Sequence, residues 1–160
     1  MLDLLPDLFD KYPQDLNLIQ FPWKTYGQKT IFSGEVVTVK CFEDNSRVKE
    51  LLAQPGKGKV LVVDGGGSLR RALLGDIIAQ SAVDNHWEGI VIYGAIRDVA
   101  AINTMDIGVK ALAPNPIKTN RKGLGTVDEP IELNNVLVHS GMMIYVDLNG
   151  VAVCDKKLTL

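Results

Sequence analysis

The chain has 160 residues, 46% of them apolar and 22% charged, with a net charge of −2. That length suits one domain with its own core, and the near-neutral balance excludes a protein that binds by neutralising many phosphates. No apolar run reaches the ~18 residues of a membrane span, and the acidic, Pro-interrupted start is no secretory leader, so a cytoplasmic protein without direct nucleic-acid or membrane partners is expected.

Leu2 to Leu16 reads as a short helical start broken by Pro6 and Pro13. From Thr30 to Phe42 apolar and polar residues alternate, the period of a strand. Asp44, Asn45 and Ser46 are cap candidates for a short helix whose apolar face is Val48, Leu51 and Leu52, ended by Pro55-Gly56. Lys59–Asp64 is a β-branched run, as in a strand covered on both faces. Gly65-Gly66-Gly67 breaks it, and a helix follows from near Asp76 to Asn85. Gly89–Tyr93 is the next buried strand.

Strand, helix and strand over this length make a βαβ unit with parallel, neighbouring strands. Asp98 to Met105 reads as a short helix, Gly108 to Ala113 as a strand and Pro114 to Gly125 as loop. Glu132 to Cys154 is mostly β, with Asn149-Gly150 predicting a type I′ hairpin. The expectation is one α/β domain over residues 1–160 around a βαβ core.

Cys41 and Cys154 lie far apart in apolar stretches and read as reduced, buried thiols. His86 and His139 lack metal-ligand spacing. Trp23, Trp87 and Met142-Met143 read as packing residues. Lys118 to Lys122 holds three cations and reads as a solvated loop ahead of a nucleic-acid patch.

The Gly65–Gly67 loop follows a Val-rich strand, as nucleotide loops do. It lacks the spacing of either phosphate-binding fingerprint, so a tight turn with close backbone approach is the better reading. Gly75-Asp76, a twenty-residue gap and Arg97-Asp98 carry more chemistry. They follow two adjacent parallel strands, whose C-terminal ends are where open α/β sheets bind ligands. Two carboxylates there could hold a hard cation, and a guanidinium could neutralise a carboxylate or enolate. Backbone N–H groups around Leu74 to Asp76 could bind a substrate carboxylate. Taken singly, Asp76 and Asp98 also read as helix caps.

The stretches VVDGGGSLRRALLGD and WEGIVIYGAIRDV, with VKCFEDN upstream, resemble the family of the regulator of ribonuclease E activity A over nearly the whole chain. The resemblance implies a swivelling β/β/α domain shared with class II 4-hydroxy-4-methyl-2-oxoglutarate aldolases, whose motif Gly75, Asp76, Arg97 and Asp98 match. By that resemblance Asp98 ligates a divalent cation, Mg²⁺ or else Mn²⁺. Asp76 holds water on that cation, Arg97 contacts the oxo-acid, and the amides of Leu74 and Gly75 bind its carboxylate.

The implied reaction is retro-aldol cleavage to pyruvate with accompanying oxaloacetate decarboxylation. It requires no Schiff-base lysine. The alternative the resemblance implies is a non-catalytic inhibitor that binds ribonuclease E, and a homotrimer or hexamer is implied for either. Dedicated aldolases lend an acidic C-terminal residue to a neighbouring site; a chain ending at Leu160 reads as lacking it.

Overall fold

The computed structural model describes residues 1–160. In chain order the elements are α1 (Leu5–Lys11), β1 (Asn17–Leu18), β2 (Lys24–Tyr26), β3 (Phe32–Lys40), α2 (Ser46–Leu52), β4 (Lys59–Asp64), α3 (Asp76–Asp84), β5 (Gly89–Tyr93), β6 (Ala95–Ile96) and α4 (Val99–Ile102). They continue with β7 (Gly108–Ala111), β8 (Ala113–Pro114), β9 (Thr126–Val127), β10 (Ile131–Leu133), β11 (Val136–Val138), β12 (Met143–Asp147) and β13 (Gly150–Cys154).

One large mixed sheet runs β1-β13-β12-β3-β4-β5-β7-β2, with β9 added to the end of β3. Its centre, β3-β4-β5-β7, is parallel, as the βαβ reading requires, and antiparallel strands flank it. β4 shows why. Leu61 and Val63 point into the cluster beneath α2, α3 and α4, whereas Val60 and Val62 point into the cluster beneath the β10–β11 hairpin. All four are 0% exposed, and each such burial is worth about 1.5–3 kcal/mol. A third cluster seats α1 on β12 and β13 through Leu5, Leu8, Tyr145 and Ala152. No helix is long and apolar enough to cross a membrane.

The N-terminal helix is shorter than the sequence pattern predicts. Pro6 occupies its first turn, where a missing N–H costs nothing, and the helix stops before Pro13. The Asp98 to Met105 stretch supplies only the four-residue α4, and the Gly108 to Ala113 strand divides into β7 and β8.

The hairpin after β12 also differs. Asp147 pairs with Gly150, so the turn residues are Leu148 and Asn149, and neither has positive φ. A type I′ turn needs positive φ at both. Instead the Asp147 carboxylate accepts the Asn149 N–H at 2.7 Å and closes the turn itself. Both cysteines are free and buried. Burial, with the charges of Asp44 and Asp64, pushes the Cys41 thiol up to about 12, so it stays protonated.

Candidate functional site

The segment from Ala72 to Asp76 joins the β4 side of the sheet to α3, and Arg97-Asp98 joins β6 to α4. Two backbone bonds tie them: the Leu73 N–H donates to the Ala95 carbonyl at 2.8 Å, and the Arg97 N–H to the Leu74 carbonyl at 2.8 Å. The motif's two halves are therefore neighbours, as predicted.

Asp98 sits in the left-handed region, with φ 56° and ψ 39°. That conformation is uncommon outside glycine and costs backbone strain of order 1–3 kcal/mol. It folds the carboxylate back across Gly75, and Asp98 Oδ2 accepts the Asp76 N–H at 3.0 Å. Arg97 Nε lies 3.8 Å from the same oxygen. A Cβ on Gly75 would stand 2.8 Å from Asp98 Oδ2 and 3.2 Å from Arg97 Nε, so this glycine is required by close approach, not by its φ.

These facts adjust the roles expected from sequence. Gly75, not Asp76, is the N-cap of α3, and Asp76 is the first helical residue. The Asp76 amide is already bonded to Asp98, whereas the amides of Leu74 and Gly75 donate to no protein acceptor. Leu74 is buried, main chain included, and does not line the cleft, so of these two amides only that of Gly75 is placed to meet a ligand, contrary to the expectation from sequence.

Gly75, Asp76 and Arg97 line a cleft of about 430 Å³ whose far wall is formed by Asn45, Lys49, Lys118, Thr119 and Arg121. Four cations face one carboxylate, Asp76, so the cleft attracts anions. The far wall is held by a buried network. Asn45 Nδ2 donates to the Leu73 carbonyl at 3.1 Å, while Asn45 Oδ1 accepts from Thr119 Oγ1 at 2.7 Å and Arg121 Nε at 2.9 Å.

Asn45 is the N-cap residue of α2, but its side chain makes no cap bond; the neighbouring Asp44 Oδ1 takes the Ser46 N–H instead, at 2.9 Å. Asp44 Oδ2 accepts the Lys122 and Leu124 amides at 2.7 and 3.3 Å. Burial alone would push this carboxyl up, but those bonds and the Ser46 hydroxyl outweigh it and hold it at about 2. The only sequence sign of the far wall was the Lys118–Lys122 cluster.

A divalent cation fits the donors present. Asp98 is 36% exposed in its side chain and keeps its second oxygen free of protein partners, and Asp76 lines the cleft nearby. No group of three or more His, Cys, Asp or Glu side chains converges anywhere in the protein. One or two carboxylates with water completing the shell is how Mg²⁺ binds, and it is not a zinc or a calcium-loop donor set.

The Gly65–Gly67 loop, by contrast, is filled by its own protein. A Cβ on Gly65 would meet Leu73 at 2.5 Å and the Tyr93 carbonyl at 2.8 Å, and one on Gly67 would meet the Tyr93 ring at 2.8 Å. Close backbone approach is what these glycines provide.

A family model described as RraA-like, Aldolase/RraA, matches residues 5–153. A Shewanella oneidensis protein named "Putative 4-hydroxy-4-methyl-2-oxoglutarate aldolase" is 59% identical over 158 residues, covering 99% of this chain and 96% of its own. A Thermus thermophilis structure described as the RNA-processing inhibitor RraA superposes with a TM-score of 0.94 at 38% identity, covering 99% of this chain and 96% of that one. A Geobacillus kaustophilus structure described as an S-adenosylmethionine:2-dimethylmenaquinone methyltransferase gives 0.95 at 42% identity, over 98% and 97%. Motif, mixed α/β architecture and whole-length similarity agree: the chain belongs to the RraA-like family.

Proposed function

We propose that this protein is a divalent-cation-dependent lyase that cleaves 4-hydroxy-4-methyl-2-oxoglutarate to two molecules of pyruvate and also decarboxylates oxaloacetate. The observation that carries the reading is the contact of Asp98 with the Asp76 amide and Gly75, directly behind the wall of a cationic cleft that Gly75, Asp76 and Arg97 line and Asp98 itself does not. The aldolase names of close relatives support it.

The free amide of Gly75, which lines the cleft, binds the substrate's C1 carboxylate at the N-terminus of α3. Asp98 is the residue that would hold the cation and Asp76 its water, the cation supplying a Lewis acid for the 2-oxo group when bound. Arg97 brings a fixed positive charge to the oxygen that becomes enolate as the C3–C4 bond breaks. The Asp76 carboxylate accepts the C4-hydroxyl proton through an intervening water, and the same path returns a proton to C3. Loss of CO₂ from oxaloacetate yields the same enolate and uses the same groups.

The reading includes an oligomer, trimer or hexamer, with the cleft near a subunit boundary. It is supported by Ile77, which lines the cleft yet is 82% exposed. Light scattering in solution measures this directly.

The test is pyruvate release from both substrates with Mg²⁺, with EDTA and in Asp98→Ala. Turnover that needs the cation and vanishes in the variant is expected. Turnover no higher than that of the cation alone would overturn the proposal. A second reading, inhibition of ribonuclease E by an outer surface, draws on the similarity to the Thermus structure. It expects Asp98→Ala to inhibit as the parent does. The methyltransferase description of the Geobacillus relative finds no support in the Gly65–Gly67 loop, whose glycines serve close packing against Leu73, Phe42 and Tyr93.

A further inference from the structure

A second concavity, of about 510 Å³, lies between the β1–β2 connection and the β12–β13 turn and shares no residue with the cationic cleft. Leu18, Ile19, Phe21, Trp23 and Leu148 give it apolar walls. The aromatic wall is braced: Phe21 stacks on Tyr93 with centroids 4.3 Å apart and meets Trp23 edge-on at 5.4 Å, and the Trp23 indole N–H donates to the Ile19 carbonyl at 2.9 Å.

One charged side chain lines this space, and it is only 2% exposed. Lys110, on β7, stands in register between Val91 and Thr25. An ammonium carries three donors. Thr25 Oγ1 takes one, at 2.6 Å, and Lys110 belongs to none of the protein's ion pairs. The negative charge that acts on it, Asp147, is fully buried and already accepts from Leu4, Leu5 and Asn149. Burial accordingly pushes the amine below its ordinary value, with Asp147 pulling part of the shift back. A methionine or leucine would fill this position without the cost of desolvating a charge.

We propose that this concavity is a binding site for a small carboxylic acid with an apolar or aromatic body, distinct from the cleft at Arg97. The carboxylate pairs with the Lys110 ammonium and takes its two remaining donors, and the body lies against Phe21 and Trp23. The volume lies within the range of small-molecule pockets, and apolar walls around one charged group are their usual make-up. The site would take the acid as ligand only; no bond is made or broken there.

The test uses 3-phenylpropionate and its uncharged amide, followed by tryptophan emission and by calorimetry, on the parent protein, Lys110→Met and Trp23→Phe. The acid should perturb the emission saturably, and the amide should bind about tenfold or more weakly, about 1.4 kcal/mol. Lys110→Met should erase the difference between acid and amide. Trp23→Phe should remove the optical change while calorimetry still detects binding. No saturable binding of the acid by the parent, equal binding of acid and amide, or parental binding of the acid by Lys110→Met would each overturn the proposal. Should Lys110→Met not fold, the acid–amide comparison on the parent together with loss of the optical change in Trp23→Phe still decides it, because Trp23 lines this concavity and not the Arg97 cleft.

Discussion

Gly75→Ala tests whether the approach of Asp98 to the head of α3 matters for turnover. The new Cβ would lie 2.8 Å from Asp98 Oδ2, against an ordinary contact of about 3.4 Å, so the carboxylate must retreat by roughly half an ångström. Arg97 Nε, 3.2 Å from the same point, must give way with it. A displacement of about 1 Å in a reacting constellation can cost about a hundredfold, so half of that predicts a loss of about tenfold, about 1.4 kcal/mol in the barrier. Movement of Arg97 extends the expected range to about a hundredfold.

Stability should not fall with activity. Gly75 has φ −131° and ψ −171°, a conformation open to alanine, and the atoms in the way end flexible side chains. The smaller entropy of the unfolded alanine chain offsets part of any strain, by about 0.4–1 kcal/mol. The assay is kcat/KM for pyruvate release alongside a thermal melt. A folded Gly75→Ala protein within about twofold of parental kcat/KM would refute the reasoning, because the contact would then be irrelevant to catalysis.

Arg97→Lys keeps the charge but loses the planar fork, and should lower kcat by about 10–100-fold in steady-state kinetics; parental kcat would remove Arg97 from enolate stabilisation. Asp44→Asn bears on the acid side of the stability curve. The Asp44 carboxyl is held at about 2 when folded, below its unfolded value of about 3.9, so its contribution is complete above about pH 4 and is lost as pH falls towards 2. Parent and variant should differ by about 2 kcal/mol near neutrality in urea denaturation, and the gap should close by about pH 2; a gap that does not change with pH would refute the assignment. The Asp98→Ala assay and the acid–amide binding comparison with Lys110→Met complete the set.

What the sequence disclosed followed from how locally it was encoded. The βαβ centre was legible because Lys59–Asp64 and Gly89–Tyr93 have continuous apolar, largely β-branched centres, and a strand buried on both faces needs little else. The motif was legible because each half stands just ahead of a helix on the C-terminal side of the βαβ unit; what makes the halves neighbours is the bonding of Leu73 and Leu74 to Ala95 and Arg97. β1 and β2 were not. Asn17 and Leu18 are both exposed and too few to show a period, and they become a strand only because β13 offers an edge. The turn lies one residue ahead of the Asn149-Gly150 signal because it is closed by a side chain, Asp147, whose bond to the Asn149 N–H no turn-residue preference encodes.

The far wall of the cleft was hidden by distance. Arg121 lies 76 residues from Asn45, and Lys122 lies 78 from Asp44; only the folded chain turns a scattered basic loop into the wall of an anion site. Motif and far wall therefore have separate origins. Gly75, Asp76, Arg97 and Asp98 belong to strand–helix junctions that the core holds in place. Lys118 and Arg121 belong to a loop anchored by Asp44 and Asn45. A substitution at Lys118, whose side chain takes no part in that network, changes the charge an anion meets in the cleft while the anchors stay put; one at Arg121 also removes a bond to Asn45. On the proposed function, the anion preference of this cleft is set by a loop that can change without moving Arg97 and Asp98.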